Sequence, residues 1–253
     1  MTRPNNTLIV LGATSAVAHA YLRLVAAQNR FSRAVLVARN KRKLEIVAQD
    51  IAGRSLMDVT TIAAEIGKAD QVSATMHDIL SMSETIDECL LAYGALGDQE
   101  LLQNDGDALR SLLDTNFVSS AVWLEQIAAQ FERQGHGHVI AIGSVAGDRG
   151  RQSNYIYGAS KAGLERICEG LAHRFASSDS IYVSCVKPGF IDTPMTADIE
   201  KSGPLWATPD QIAASISHAV AKKRVRAYAP WFWRFILLIV RALPVPIFHK
   251  TKL

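Results

Sequence analysis

The stretch TLIVLGATSAVA, residues 7–18, runs from a short apolar segment, Thr7 to Leu11, through a turn of small residues into the start of a helix. This is the layout of a dinucleotide site. Small residues between Gly12 and Ala18 let backbone N–H groups approach a pyrophosphate, and the amino end of the following helix adds partial positive charge. Gly12, Thr14, Ser15, Ala16 and Val17 are the candidate phosphate contacts. A signature built on one glycine also suits a plain tight turn, so the neighbouring segments decide between the two readings.

Those segments repeat the alternation. Short apolar runs at 34–38, 58–64, 86–92, 137–143, 181–186 and 225–228 read as strands. Amphipathic stretches at 15–28, 41–53, 70–80, 98–110, 114–133 and 155–176 read as helices. Thr208-Pro209-Asp210-Gln211 supplies an N-cap, a first-turn proline and a capping-box glutamine for a last helix ending near Lys222. The pattern predicts an α/β fold, a Rossmann-like doubly wound parallel sheet covered on both faces. It occupies a single domain over residues 1–229, followed by an apolar and basic tail at 230–253. Ligands of such sheets bind beyond the carboxyl ends of the strands. Gly12, Arg39, Glu65, Gly94, Ser144 and Pro188 each follow a strand and are expected to line that edge.

The sharpest chemical signal is YGASK, residues 157–161. On a helix, Tyr157 and Lys161 stand at i and i+4 and share one face. A phenol titrates near pKa ~10 in water, and a neighbouring cation favours its ionised form. The pair is therefore expected to act as a tuned acid/base for moving a proton on or off a carbonyl oxygen. Tyr155 has Ala159 in the corresponding position and reads as a packing or pocket-wall residue. Ser144 lies thirteen residues before Tyr157, and Asn116 lies further upstream.

In this order and register, the chain resembles the short-chain dehydrogenase/reductase family from about residue 5 to 230. Asn116, Ser144, Tyr157 and Lys161 fall at the family's spacing for its catalytic tetrad. IGSVAG (142–147) resembles the strand carrying the catalytic serine, and KPGFIDT (187–193) the segment that holds the nicotinamide carboxamide. The resemblance implies contacts from Pro188, Gly189, the Ile191 backbone and the Thr193 hydroxyl. It also brings Glu65, Ile66, Ala92, Gly94, Tyr157 and Lys161 into the cofactor set, with Glu65 toward the adenine.

The implied reaction is hydride delivery from NADPH to a ketone. In it Tyr157 protonates the alkoxide, and Lys161 tunes Tyr157 and bonds the ribose. Ser144 orients the carbonyl, and Asn116 holds a water that relays protons to Lys161. Two motifs depart from the family. Ala16 and Ala18 stand at positions usually taken by glycine, and Leu91-Ala92-Tyr93-Gly94 replaces Asn-Asn-Ala-Gly. The structural asparagine is gone, which leaves open how that strand end is fixed.

GATSA (12–16), AYGALGD (92–98) and SNYIYGASKAG (153–163) are together similar to one branch. It is the NADPH-dependent reductase that completes the epimerisation of decaprenylphosphoryl-ribose to -arabinose. That similarity implies a 2-keto sugar on a polyprenyl phosphate as substrate, and a separate flavin oxidase as partner. Two alternatives stand beside it. One is a reductase of a soluble ketone or 3-ketoacyl thioester; the other is a non-catalytic NADP-binding sensor or scaffold. Relatives pair through the helices at 98–133 and 155–176, so a homodimer or homotetramer is expected by resemblance.

Cofactor choice rests on VLVAR, residues 35–39. Ala38 stands where NAD-preferring relatives carry an acid for the ribose hydroxyls. Arg39 follows, backed by Asn40, Lys41, Arg42 and Lys43. An arginine there pairs with a 2′-phosphate, and the missing acid removes repulsion. NADP(H) is expected to be preferred over NAD(H). The other reading of the basic cluster is the solvated first turn of a helix.

A chain of 253 residues with 49% hydrophobic residues supports a substantial core and is not disordered in composition. Cys89, Cys168 and Cys185 have neither zinc nor disulfide spacing, which fits a reducing cytoplasm. No metal is expected, and His136 and His138 read as loop histidines. The apolar run before Gly12 is too short for a signal peptide.

The net charge of +3 hides an asymmetry. No Asp or Glu follows Asp210, while Lys222, Lys223, Arg224, Arg226, Arg234, Arg241, Lys250 and Lys252 make the end strongly basic. Within it lies PWFWRFILLIVRALPVPIF, residues 230–248. Arg234 and Arg241 leave only six apolar residues between them, against the roughly 20 needed to span a bilayer. The segment suits a helix lying in an anionic membrane interface, peripheral to the inner face. It equally suits a cover over the pocket or a contact with a neighbouring subunit. Nucleic acid is not an expected partner, because the basic residues are interleaved with apolar bulk. Arg149, Arg151 and Gln152 read either as contacts to a substrate phosphate or as a solvated loop. Residues 190–207 read as a mobile lid, with Trp206 over the ligand.

Overall fold

In the computed structural model, which describes residues 6–197, 200–201 and 203–251, the first strand is β1 (Thr7–Leu11), and its residues are buried throughout. Next come α1 (Ala16–Ala27), β2 (Arg33–Ala38), α2 (Lys41–Arg54), β3 (Asp58–Ala63), α3 (Val72–Met82) and β4 (Glu88–Leu91). Two short helices, α4 (Gln99–Asn104) and α5 (Gly106–Leu113), lead to α6 (Ser119–Gln134), β5 (Gly137–Ile142), α7 (Tyr155–Arg174) and β6 (Ile181–Pro188). The chain closes with β7 (Phe190–Ile191), β8 (Trp206–Ala207), α8 (Pro209–Ala221), β9 (Arg226–Ala229), α9 (Trp233–Ala242) and α10 (Val245–Phe248).

Seven strands form one sheet in the order β3-β2-β1-β4-β5-β6-β9. Every pairing in it is parallel. Side chains alternate across a strand, so consecutive apolar residues feed opposite cores. Leu8, Val10 and Leu36 pack against Tyr21, Leu44, Ile212 and Ile216 from α1, α2 and α8. Ile9, Leu11, Val35 and Val37 pack against Val72, Trp123, Phe131 and Leu164 from α3, α6 and α7. Burial on both faces explains why these strands read as continuous apolar runs. The strand order reverses between β1 and β4, and that switch point opens a crevice at the carboxyl edge.

Several boundaries differ from the sequence reading. The helix expected at 98–110 is two helices, because Asp98 and Asp105 each turn their carboxylates onto backbone N–H groups. Asp98 accepts from Glu100 and Leu101 at 2.8 and 3.0 Å. Asp105 accepts from Asp107 and Ala108, both at 3.0 Å. A side chain used this way restarts a helix instead of continuing it. The helix expected from 114 opens with a π-helical turn, Asp114–Val118, before α6.

His138 is no loop residue. It sits buried in β5 with its Nε2 2.8 Å from Ser184 Oγ. The tail folds as two helices, α9 and α10.

Candidate active site

Gly12 follows β1 with φ +87°, and its N–H donates to the Val37 carbonyl at 2.8 Å. A Cβ there would lie 2.8 Å from Tyr93 Cβ, so the left-handed turn and the close approach both require glycine. Ser15 caps α1, its Oγ accepting from the Ala18 N–H at 3.4 Å. Thr14, Ser15 and Ala16 are half-buried at the helix start, and Val17 is buried behind them. Beside this turn, Arg39 follows β2 with an exposed guanidinium 4.0 Å from Glu65 Oε2. Asn40 caps α2 by accepting from the Lys43 N–H at 2.9 Å. Ile66 is buried, and its carbonyl accepts from Trp123 Nε1 at 3.1 Å.

Tyr93 does the work of the missing asparagine. Its hydroxyl lies 3.0 Å from Ser119 Oγ and accepts from Ser120 Oγ at 3.1 Å, tying the end of β4 to the start of α6. The Ala92 N–H donates to the Leu11 carbonyl at 2.8 Å. Burial pushes the Tyr93 phenol up to about 12, so it stays a neutral structural anchor. The sequence reading passed over it. Its signal was an aromatic residue in the place of a small one at a strand end.

Asn116 and Lys161 meet at Gly94, and Lys161 in turn lies by Tyr157, which pairs with Ser144. A Cβ on Gly94 would stand 3.0 Å from Asn116 Oδ1 and 3.4 Å from Lys161 Nζ. Asn116 is fully buried inside the π-helical turn, a device common at functional sites. Its Oδ1 accepts from the Ala95 N–H at 2.8 Å. Its Nδ2 donates to the Ala95 carbonyl at 2.7 Å and to Ser160 Oγ at 3.3 Å. Ser144 follows β5, accepts from the Ala146 N–H at 3.1 Å, and hydrogen-bonds the Tyr157 side chain. A Cβ on Gly158 would meet the Ala146 carbonyl at 2.7 Å, so α7 is pressed against the serine loop.

Lys161 is buried, donates to the Ile142 carbonyl at 3.0 Å, and lies 5.9 Å from the centre of the Tyr157 ring. Burial brings its pKa down to about 8. For Tyr157, burial raises the pKa and the Ser144 hydrogen bond opposes it. The expectation that the ammonium lowers the phenol is therefore corrected for this state of the protein: desolvation dominates, and the phenol stays protonated. A protonated phenol beside a serine hydroxyl and a buried ammonium is an arrangement for giving a proton to an oxygen. Tyr155 is exposed at the start of α7. Nearby, Gln99 Oε1 accepts from the Ile156 N–H at 3.2 Å. Gln99 Nε2 and Asn154 Oδ1 are buried without a partner among the described residues.

The segment after β6 closes the edge. The Gly189 N–H donates to the Ala229 carbonyl at 3.0 Å, and Pro188 is buried. Ile191 and Thr193 are half-buried. Thr196 Oγ1 ties them together, donating to the Ile191 carbonyl at 2.6 Å and accepting from the Thr193 N–H at 3.2 Å. β7 and β8 pair at the base of the expected lid, and Phe190 stacks on Trp206 with ring centres 5.3 Å apart. Residues 198, 199 and 202 of that segment lie outside the described residues.

One further cluster is not signalled by any motif. Lys187, in β6, is sealed from solvent and donates to the Asp148 carboxylate and to Glu165 Oε2, the latter at 2.6 Å. Tyr228 donates to Asp148 Oδ2 at 2.6 Å, and Arg226 Nε lies 2.6 Å from Glu165 Oε1. The available signal was a lysine inside an apolar strand, which must find a charged partner when buried.

Arg149, expected either at a substrate phosphate or in a solvated loop, does neither. It donates to the Val240 carbonyl and to the Leu243 carbonyl at 2.8 Å, and stacks 3.8 Å from the centre of the Phe248 ring. Arg151 is half-buried, with burial lowering its pKa, and Gln152 is exposed. Among the described residues, no group of three or more His, Cys, Asp or Glu could hold a metal ion.

Known proteins resemble this chain over most of its length. The chain is 30% identical over 249 residues to an uncharacterized oxidoreductase of Streptomyces coelicolor, covering 98% of this chain and 96% of that protein. It is 30% identical over 201 residues to carbonyl reductase family member 4 of Danio rerio, covering 79% and 82%. A short-chain dehydrogenase from Sphingobium yanoikuyae, solved in complex with NADPH, superposes with a TM-score of 0.81 at 22% identity. That match covers 97% of this chain and 96% of the other. A model of the family described as short chain dehydrogenase matches residues 6–203, and the protein is therefore an oxidoreductase of the short-chain dehydrogenase/reductase family.

Proposed function

We propose that the protein reduces a ketone to a secondary alcohol, with NADPH preferred over NADH as hydride donor. The observation that carries this reading is the chain of neighbours Asn116 and Lys161 at Gly94, Lys161 by Tyr157, and Tyr157 by Ser144, beyond the carboxyl ends of the strands. The residues present fit the cofactor. The left-handed turn at Gly12 packs against Tyr93 and leads directly into the capped amino end of α1, where backbone N–H groups suit a pyrophosphate. Gly12, Thr14, Ser15, Ala16 and Val17 would hold the pyrophosphate. Arg39 would meet the 2′-phosphate, with Glu65, Ile66, Ala92 and Gly94 along the adenosine side. Tyr157, Lys161, Pro188, Gly189, Ile191 and Thr193 would hold the nicotinamide end. When bound, the nicotinamide supplies hydride to the carbonyl carbon.

The chain's own residues handle the oxygen. Ser144 donates a hydrogen bond to the carbonyl oxygen and holds it in line with Tyr157. Tyr157 gives its proton to that oxygen as negative charge develops. Lys161, held by the Ile142 carbonyl, keeps positive charge near the phenolate that forms. Asn116 is clamped to Ala95 through both side-chain atoms, and we assign it the water that returns a proton through Lys161. The carbonyl reductase among the relatives and the NADPH complex among the solved structures support the reading.

For the substrate we propose a 2-keto sugar carried on a polyprenyl phosphate, on the likeness of the segments at 12–16, 92–98 and 153–163. The unpartnered Gln99 Nε2 and Asn154 Oδ1 beside α7 suit a ligand rich in hydroxyls. The assembly we expect is a homodimer or homotetramer.

Tyr157→Phe tests the reaction. Turnover should fall by roughly 10²–10⁴-fold while NADPH fluorescence titration is unchanged; retained turnover refutes the assignment. Steady-state assays with both cofactors test the preference, and Arg39→Ala should reduce the advantage of NADPH. Comparing the polyprenyl-linked keto sugar with acetoacetyl thioesters tests the substrate; faster thioester reduction would favour the soluble-ketone reading.

A further inference from the structure

We infer that α9 docks on an anionic lipid surface, through an apolar stripe that the fold leaves uncovered. The helix has two faces. On the inner one, Trp233 and Leu237 are buried and pack with Val145 and Tyr228. Arg149 holds the carboxyl end of the helix by its last carbonyls. The orientation of α9 on the protein is therefore fixed, and so is the face it turns outward.

Trp231, Phe235, Leu238 and Ile239 point away from the protein and are 56–70% exposed. Their spacing of three, four, seven and eight places them on one stripe of the helix and of the turn that leads into it. Val245 and Ile247 of α10 add two more exposed apolar side chains. Arg234 and Arg241 are seven residues apart and so lie along one edge of that stripe. Both are exposed, and neither has an ion pair among the described residues. Soluble monomers rarely leave a contiguous apolar patch of this kind uncovered.

The charge chooses the occupant. No acidic residue follows Asp210, so the exposed apolar stripe has only cations around it within its own segment. A second copy seated face to face would bring two sets of Arg234 and Arg241 together with no carboxylate on the segment to pair them. A bilayer containing acidic phospholipid matches both halves of the surface, with hydrocarbon for the stripe and headgroup phosphates for the arginines. At a rise of about 1.5 Å per residue the helix is only about 15 Å long, and no described helix is long and apolar enough to cross a membrane. The mode of attachment is therefore lying on the surface.

The docking helix is also rooted in the candidate site. Trp233 meets Phe190 edge to face, with ring centres 5.5 Å apart, and its indole occupies the space where a Gly189 side chain would be. Docking would set the loop after β6 next to the lipid. The inference stands whether or not the reductase reading does.

Flotation of the full chain with vesicles tests it. One set contains phosphatidylglycerol and phosphatidylcholine, the other phosphatidylcholine alone. The expected result is recovery with the anionic vesicles, little with the neutral ones, and release at high salt. Leu238→Ser combined with Ile239→Ser should stay with the unbound protein. Arg234→Gln combined with Arg241→Gln should weaken partitioning by roughly tenfold or more. All four positions are exposed, so thermal midpoints should match the parent; if the serine pair does not fold, the arginine pair and the salt series still decide.

Failure of the parent to float, or equal flotation of the arginine pair, overturns the inference. So does a dimer in sedimentation without vesicles that the serine pair converts to monomer, since the stripe would then be covered by a second copy. Ketone turnover measured without vesicles reports on the reductase reading separately.

Discussion

Lys161 is the residue whose environment predicts most. Its pKa is brought down to about 8 by burial, so the free protein keeps this ammonium charged at neutral pH and loses it as pH rises through about 8. If the charge supports proton donation by Tyr157, kcat/KM for ketone reduction should fall across that range. The stability sign runs the other way. The folded-state pKa lies below the unfolded value, so holding the ammonium costs stability below about pH 8, and the cost fades toward pH ~10.5. A shift of this size is about 3 kcal/mol of penalty on the charged form at neutral pH. Lys161→Met should therefore abolish turnover yet raise the thermal midpoint near pH 7; a lower midpoint would contradict the burial argument.

At this scale the four proposed site residues are singled out by the family resemblance, since they stand together at the family's spacing and each alone would pass as an ordinary residue. Tyr93 was not, because its partners Ser119 and Ser120 lie on another element. The protonated state of Tyr157 was hidden for a related reason. It depends on burial, which an i,i+4 spacing does not report.

Among the elements, the strands were readable because burial on both faces makes them continuous apolar runs. The restarts at Asp105 and at the π-helical turn were not. An aspartate is compatible with a helix surface, and only the local backbone decides whether it caps or continues. The Lys187 cluster joins β6, α7, β9 and the loop after Ser144 through buried charge. Removing one member of such a cluster leaves the others uncompensated. Lys187→Met should lower stability by about 3–5 kcal/mol in denaturant unfolding. Adding Glu165→Gln to it should recover part of the loss, because one stranded carboxylate is then gone. No recovery would mean that the cluster matters through packing alone.

For the molecule as a whole, acid should be the weak side. Ser184 Oγ donates to the Arg224 carbonyl at 2.6 Å, which leaves the serine oxygen to accept from His138 Nε2–H. Burial, with Arg30 and Lys223 adding to it, brings the His138 pKa down to about 4. The unfolded chain takes up this proton first, near pH ~6.5, so stability should decline as pH falls from there to about 4. His138→Gln should flatten that slope in a pH series of denaturant midpoints; an unchanged slope would assign the acid sensitivity elsewhere.

The parallel sheet was legible as a repeating pattern. The attachment of the tail was not, since Arg149 reaches a helix some ninety residues further along the chain. That grip has a mechanical consequence. A force applied at the carboxyl terminus is carried through the Arg149 guanidinium into the loop that begins at Ser144. A reporter protein or an immobilising tag fused beyond α10 is therefore expected to disturb the loop that carries Ser144.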